Sequence, residues 1–381
     1  MKVAILIEDL NIRGGTHKQV LRLCQFLKRY CDITIYTYVY DDSSTYPEFK
    51  DFKIVTIDDN NIAKVPRKFK RARKQYELLK LIDKDTDIIN VHDNGFEHLM
   101  FFALNKFNIV WQINDMPGIF GVGVSKGHKR RRFSFRKYLI QKYFSYIAKN
   151  IDNVTVNVTK NKDRVLECMG VQAEVLYCGV DLNEKLKVHS FNLDSKDRVN
   201  ILSSGVFFPY RNYETQIKII SDLRKQGVNA YLKIIGATDR APEYYEKIKG
   251  LIREHGLDDY IEICGQVSET KYEELHNWAD LFMFINIDQS WGLAVFEAMS
   301  CGLPVIVSES VGATEILSNE IDSIIVNPVE VEEICSKIKR LMWDREYYTS
   351  IAVNAMEATR KYTWDDMYSK KMLQIFNNIK G

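Results

Sequence analysis

The sequence predicts an α/β protein made of two doubly wound, mostly parallel sheets. Three observations carry this reading. Short Val- and Ile-rich runs alternate with longer amphipathic ones, the alternation restarts after a polar segment near the middle, and 381 residues exceed what one small core holds.

The elements follow in order. KVAILI (2–7), DITIYTY (32–38), FKIVTI (52–57), DIINV (87–91), NIVWQI (108–113) and NVTVNV (153–158) read as strands. Between the first two lies HKQVLRLCQFLKRY (17–30), with Val20, Leu23, Leu27 and Tyr30 at helical spacing. Strands separated by helices imply a parallel sheet covered on both faces. After the polar stretch KVHSFNLDSKDR (187–198) come VNILSSG (199–205), AYLKIIG (230–236), YIEICG (260–265), DLFMFI (280–285), LPVIVS (303–308) and SIIV (323–326). Helical patterns at 213–226, 242–256, 270–278, 292–301 and 330–358 separate them. The expected division is 1–190, 191–365 and a C-terminal helix, 366–381, that packs back on the first domain. The facing strand ends of two such domains would form a cleft.

Composition removes several classes. The hydrophobic fraction of 46% with 12% aromatics sets aside disordered and fibrous chains. No apolar run is long enough to span a bilayer, and MKVAILIEDLN reads as a buried strand rather than a signal peptide. The seven cysteines show no C-x-x-C spacing, which points to reduced thiols in a cytoplasmic protein and away from zinc. Charge is unevenly shared: 32 Lys and Arg against 22 acids in 1–190, but 21 against 29 in 191–381. Such asymmetry concerns partners rather than fold.

Three stretches could carry chemistry. In EDLNIRGGTHKQ, Gly14 and Gly15 stand between a strand and a helix, so they either bring backbone N–H groups to an anion or form a plain turn. No G-x-G-x-x-G is present, which leaves a nicotinamide site without support. In SSGVFFPYRNYETQ, Gly205 ends a strand and Arg211 follows a Pro209 turn; the arginine is a phosphate clamp or a surface cation. In DQSWGLAVFEAMSCGLPVIVS (288–308), Ser290 is the expected N-cap and Gly292 the point of ligand approach. Glu297 lies inside an apolar helix, either satisfied locally or accepting hydrogen bonds from ligand hydroxyls such as those of ribose.

WGLAVFEAMSCGLPVIVSESVGATEIL, GVDL at 179–182 and YIEICGQVSETKYEELHNWADLFMF at 260–284 together resemble the retaining glycosyltransferases of family 4, with the GT-B fold. The resemblance covers most of 1–365 and is thin between 40 and 85. It implies that Glu297 holds the nucleotide ribose, and that Gly292 and Leu293, with Ser290 and Trp291 beside them, meet the donor phosphates and sugar. Gly14, Gly15 and Gly205 join the donor set, and Arg211 stands where the family has its phosphate-binding Lys. Three positions depart from the pattern: Gln289 replaces the first Glu of the pair, Val206 an Arg, and Asn114 a first-domain His. Asp115 and His92 are the neighbouring polar candidates for the acceptor region. The implied catalytic set is Arg211, Gln289, Glu297 and Asn114.

The implied activity is transfer of a hexose from a nucleoside diphosphate sugar, with retention, to a lipid-linked or polysaccharide acceptor. Neither cofactor nor metal is required, and Asp83-Lys84-Asp85 reads as a solvated turn. The alternative is a non-catalytic nucleotide-sugar-binding relative assisting another transferase; an epimerase would need acid and base groups that are not evident. Residues 116–151 contain nine Lys and Arg and no acid, and 64–74 carry seven more. Lys129, Arg130, Arg131, Arg132, Arg136 and Lys137 interleave with aromatics there. This favours docking at an anionic membrane, on the inner face of the cell membrane, over a solvated surface or a nucleic-acid site.

Overall fold

The computed structural model describes residues 1–57, 66–121, 134–182 and 198–381, and only the backbone of Arg67 and Lys68. The chain forms two compact units: Met1–Gly179 with Trp364–Gly381, and Val180–Thr363. The division falls at 179/180 rather than 190/191, and the returning segment begins at Trp364 rather than 366.

In the first unit the strands are β1 (Lys2–Leu6), β2 (Asp32–Thr37), β3 (Lys53–Thr56), β4 (Ile88–His92), β5 (Asn108–Ile113), β6 (Asn153–Val156) and β7 (Glu174–Val175). Its helices are α1 (Gly15–Leu27), α2 (Arg67–Leu81), α3 (Glu97–Ala103), α4 (Phe135–Lys149) and α5 (Thr159–Met169). The sheet is all parallel in the order β3-β2-β1-β4-β5-β6-β7. Strand order reverses where β1 lies beside β4, with Val3 opposite Ile88 and Leu6 opposite Val91. Ligands of open α/β sheets bind at such a reversal, outside the carboxyl ends of the strands. Ala4, Leu6, Ile89, Val91, Ile109 and Trp111 are among the side chains that build this core. Burying an aliphatic side chain of this kind contributes about 1.5–3 kcal/mol.

The second unit holds β8 (Arg198–Ser204), β9 (Asn229–Ile235), β10 (Ile261–Gly265), β11 (Leu281–Phe284), β12 (Val305–Ser308) and β13 (Ile324–Val326), again all parallel, in the order β10-β9-β8-β11-β12-β13. Around it lie α6 (Tyr213–Lys225), α7 (Pro242–Glu254), α8 (Glu269–Trp278), α9 (Leu293–Ser300), α10 (Val331–Trp343) and α11 (Arg345–Thr359). The reversal here sets β8 beside β11. The single helix expected over 330–358 is two. Asp344 breaks it, and its carboxylate accepts from the Tyr347 N–H at 2.9 Å as the N-cap of α11.

The returning segment is a π-helical turn, Asp365–Ser369, followed by α12 (Lys370–Lys380). Buried Tyr368 donates to Gln112 Oε1 at 3.3 Å, and Lys380 pairs with Asp87 at 3.0 Å, both inside the first unit. All seven cysteines are free thiols. Asp85 pairs with Lys2, and Asp83 lies 4.0 Å from Lys53. Among the described residues no group of His, Cys, Asp and Glu gathers as metal ligands. No described helix is long and apolar enough to cross a membrane.

Candidate active site

In the second unit the reversal of strand order brings the turn after β8 next to the loop after β11. Gly205 follows β8 with φ at +151°, a region that L side chains rarely adopt. A Cβ there would lie 2.6 Å from the Arg211 guanidinium, so only glycine lets that side chain lie across the turn. Asn212, in the left-handed region, bonds the carbonyls of Ile285 at 3.2 Å and Pro328 at 3.0 Å. This fixes the Arg211 turn to the end of β11. The guanidinium carbon stands 5.1 Å from the Tyr210 ring and 5.5 Å from that of Phe284. The buried Nε of Arg211 makes no hydrogen bond. A cation held by rings rather than by a carboxylate keeps its donors for an incoming anion.

The loop before α9 is pinned from behind. The Gln289 carbonyl accepts from Gly312 N–H at 3.1 Å, and the Trp291 carbonyl from Ala313 N–H at 2.9 Å. The Trp291 ring stacks on Phe296 at 5.2 Å. Helix α9 is capped by Gly292 at φ +102°, and the buried Ser290, the N-cap expected from sequence, stands two residues before it. A side chain on residue 292 would press on Val311 and Phe284, at 3.0 and 3.1 Å. The side-chain oxygen of Gln289 and the amide nitrogen of Asn286 are buried without hydrogen-bond partners. Such orphans each cost about 1–3 kcal/mol unless a ligand satisfies them.

Glu297, half-buried, has a partner within its own unit: the Tyr272 hydroxyl of α8 donates to its carboxylate at 2.8 Å. That bond falls on Oε2 of the carboxylate. Tyr272 was absent from the residues named from sequence, because one tyrosine in an amphipathic helix carries no signal.

In the first unit the same logic applies at β1, β4 and β5. Gly14 caps α1 without a side-chain bond, and Gly15 opens it. His17 Nε2 donates to the Asp9 carbonyl at 2.5 Å, which leaves a buried, unbonded Nδ1 lone pair beneath Gly14. Burial holds this imidazole below its ordinary pKa.

Asn114 is a buried joist. Its amide donates to Thr16 Oγ1 at 3.2 Å and Gln19 Oε1 at 2.8 Å, and accepts from Gln112 at 3.1 Å. His92 is fully buried against Asn90 at 2.9 Å, and desolvation, then nearby His17, pushes its pKa down to about 3. It therefore lies beneath the strand ends as a neutral ring. Asp115 is exposed.

The group these residues surround is Asp93, which sequence reasoning missed. It sits at φ +67°, and its carbonyl accepts the Trp111 indole N–H at 2.7 Å. Thr16 and Asn114 hydrogen-bond its carboxyl. Burial, reinforced by the charges of Asp115 and Glu8, raises its pKa to about 7 against those bonds. The signal that could have found it is the polar pair ending a buried strand, HD in INVHDN.

Of the basic residues, Arg136 is exposed and Lys137 half-buried on α4, whereas Lys129, Arg130, Arg131 and Arg132 lie outside the described residues. In the 64–74 run, Arg71 pairs with Glu97 at 2.8 Å and Arg73 with Glu77 at 2.6 Å, so part of that charge is spent internally.

Residues 184–358 match the family described as "Glycosyl transferases group 1", and residues 13–184 match "Glycosyltransferase Family 4". The chain belongs to glycosyltransferase family 4. Other members of the group show how far the likeness runs. The serotype-specific mannosyltransferase WbdA of Escherichia coli is 26% identical over 165 residues, 43% of this chain and 20% of that protein. A GDP-mannose-dependent phosphatidylinositol monomannoside mannosyltransferase of Mycobacterium tuberculosis is 22% identical over 182 residues, 46% of each. The chain thus spans less than half the length of the curated relatives it matches. Among solved structures, sucrose-phosphate synthase from Thermosynechococcus elongatus superposes with a TM-score of 0.78 at 17% identity, covering 99% of this chain and 98% of that one. Anabaena HepE in complex with UDP-glucose gives 0.76 at 15%, covering 99% and 100%. These likenesses show that this family 4 glycosyltransferase has the GT-B fold, two Rossmann-like α/β units.

Proposed function

We propose that the protein transfers a hexose from a nucleoside diphosphate sugar to a lipid-linked or polysaccharide acceptor, with retention, at the inner face of the cell membrane. The observation that carries the reading is the set of unspent groups at the β8–β11 reversal. These are the Arg211 guanidinium and the Gln289 oxygen; the Glu297 carboxylate, bonded by Tyr272, stands near them on α9. A cation suits the diphosphate, a carboxylate the ribose hydroxyls, and a neutral amide the sugar. One relative is GDP-mannose-dependent and one similar structure is a complex with UDP-glucose, which supports a nucleotide-linked hexose as donor.

On this reading the bond from the anomeric carbon to the diphosphate oxygen breaks while the acceptor oxygen adds on the same face. The acceptor's proton passes to the departing diphosphate. Arg211 and the N-terminal amides of α9 stabilise the charge that develops on the leaving group. Gly15, at the start of α1, offers backbone N–H groups suited to phosphate, and Asp93 suits an acceptor hydroxyl. Neither a metal nor another cofactor takes part.

A thermal-shift screen against UDP-, GDP- and ADP-sugars tests the donor, since a bound ligand raises the melting temperature. Transfer and hydrolysis assays with the donor that binds then separate an enzyme from a non-catalytic relative. Binding without turnover of any donor would establish the latter.

A further inference from the structure

Helices α2, α3 and α4 pack side by side on the first unit. Across them runs an unbroken series of rings. Tyr76 of α2 meets Phe102 of α3 at 5.5 Å, and Phe102 meets Phe101 at 5.7 Å. Phe101 in turn reaches Tyr143 at 5.4 Å and Tyr146 at 6.1 Å on α4. Apart from Tyr143, which packs against the core, these rings are not core. Tyr76 and Phe101 are 39% exposed, Phe102 37% and Tyr146 52%. Leu139, farther along α4, is 51% exposed. A connected apolar surface of this kind on a water-soluble face marks a site that something covers.

The charges say what covers it. Helix α4 carries Arg136, Lys137, Lys142 and Lys149 and no acidic residue. The Lys80 ammonium stands 4.8 Å from the Tyr76 ring, and that of Lys142 5.4 Å from Tyr138. The acids on α2 and α3 are already matched: Glu77 by Arg73 and Lys80, Glu97 by Arg71. A second copy of the chain would bring these cations against their own kind. Rings flanked by amines instead match the boundary of an anionic bilayer, where the rings enter the headgroup–acyl zone and the amines meet phosphate.

We propose that the α2–α3–α4 face docks the protein on an anionic lipid bilayer, with Phe101 and Phe102 entering the interface and the lysines of α4 meeting the headgroups. The inference rests on the glycosyltransferase reading only for its purpose, which is to bring the site to a lipid-linked acceptor. It goes beyond the basic runs, because it assigns the anchoring to an aromatic ridge on α3, outside both of them.

Flotation of the full chain with phosphatidylcholine vesicles, with and without phosphatidylglycerol and at two salt concentrations, tests it. The wild type should float with the anionic vesicles and less so at high salt. A Phe101→Ala, Phe102→Ala variant should bind about tenfold more weakly, given the partial burial of two rings. A Lys142→Gln, Lys149→Gln variant should lose much of the salt dependence. Both changes are on the surface, and an unaltered donor-induced melting shift shows that the fold is kept. A wild type that ignores anionic vesicles, a double-alanine variant that floats as well as wild type, or capture of the rings by a single-stranded oligonucleotide instead overturns the proposal. Because the readout is binding, it can fail while donor turnover stands, and the reverse.

Discussion

The Tyr272 hydroxyl donates to the Glu297 carboxylate at 2.8 Å, joining α8 to α9 across the strand ends of the second unit. The bond gives the carboxylate a fixed direction. Glu297→Ala should abolish the melting shift induced by the donor. Tyr272→Phe should keep the shift but weaken donor binding about fivefold, the worth of one hydrogen bond of roughly 1 kcal/mol. Calorimetric titration with the preferred donor checks both; an unchanged affinity in Glu297→Ala would remove the ribose assignment.

Arg211 lies over Gly205 with rings on its flanks and no carboxylate bound. Replacing it by Ala should lower kcat by roughly 10²–10³, typical for removal of a group that stabilises leaving-group charge. Lysine keeps the charge but not the planar fork or the stacking, so Arg211→Lys should recover only part of that loss. Steady-state rates at saturating donor separate these effects from binding.

Asp93 joins a strained backbone to a displaced titration. Asn tolerates the left-handed region as Asp does, so Asp93→Asn should fold. It should raise the acceptor KM and leave slow donor hydrolysis near the wild-type rate. Its effect on stability follows from the raised pKa of about 7. The folded protein holds this proton more tightly than the unfolded chain, whose Asp titrates near 3.8. The stabilising contribution is therefore complete below the unfolded value and is lost as pH rises towards 7. Melting temperatures at pH 5 and pH 8 should show Asp93→Asn gaining on wild type at the higher pH. Charges of Asp115 and Glu8 face the same carboxyl and set the size of that gain.

Gln289 ends in a buried oxygen without a donor. A carboxylate there would accept a sugar hydroxyl through a charge-assisted bond, roughly twice as strong as a neutral one. Gln289→Glu should tighten donor binding several-fold and alter the preference among hexoses. Competition between UDP-glucose, UDP-galactose and GDP-mannose reads this directly; an unchanged preference would place Gln289 away from the sugar.

Much of this was legible beforehand, for physical reasons. Parallel strands are buried on both faces, so DIINV and DLFMFI stand out as apolar runs whatever their neighbours. The motif around Glu297 was equally visible, because Gly292 and Gly205 are needed by backbone geometry and leave fixed letters in the sequence. What stayed hidden depends on three-dimensional convergence. Asp93 gains its role from Thr16 and Asn114, which approach from α1 and from the end of β5. Tyr272 gains its role from a helix far from Glu297 in sequence. His92 is the reverse case, a polar residue at a strand end that lies fully buried against Asn90. Ser290 misled for a similar reason: Gly292, in the left-handed region, starts the helix later than cap preferences suggest.

The segment from Trp364 to Gly381 belongs to the first unit, although the whole second unit separates it from the rest. During synthesis the first sheet therefore emerges long before the residues that close over Gln112 and Asp87. The second unit, contiguous in sequence, has all its residues ahead of that closure. The nascent first unit must wait with the pocket for Tyr368 open, and a ribosome that stops short of residue 364 releases a chain in which one unit is whole and the other is unfinished.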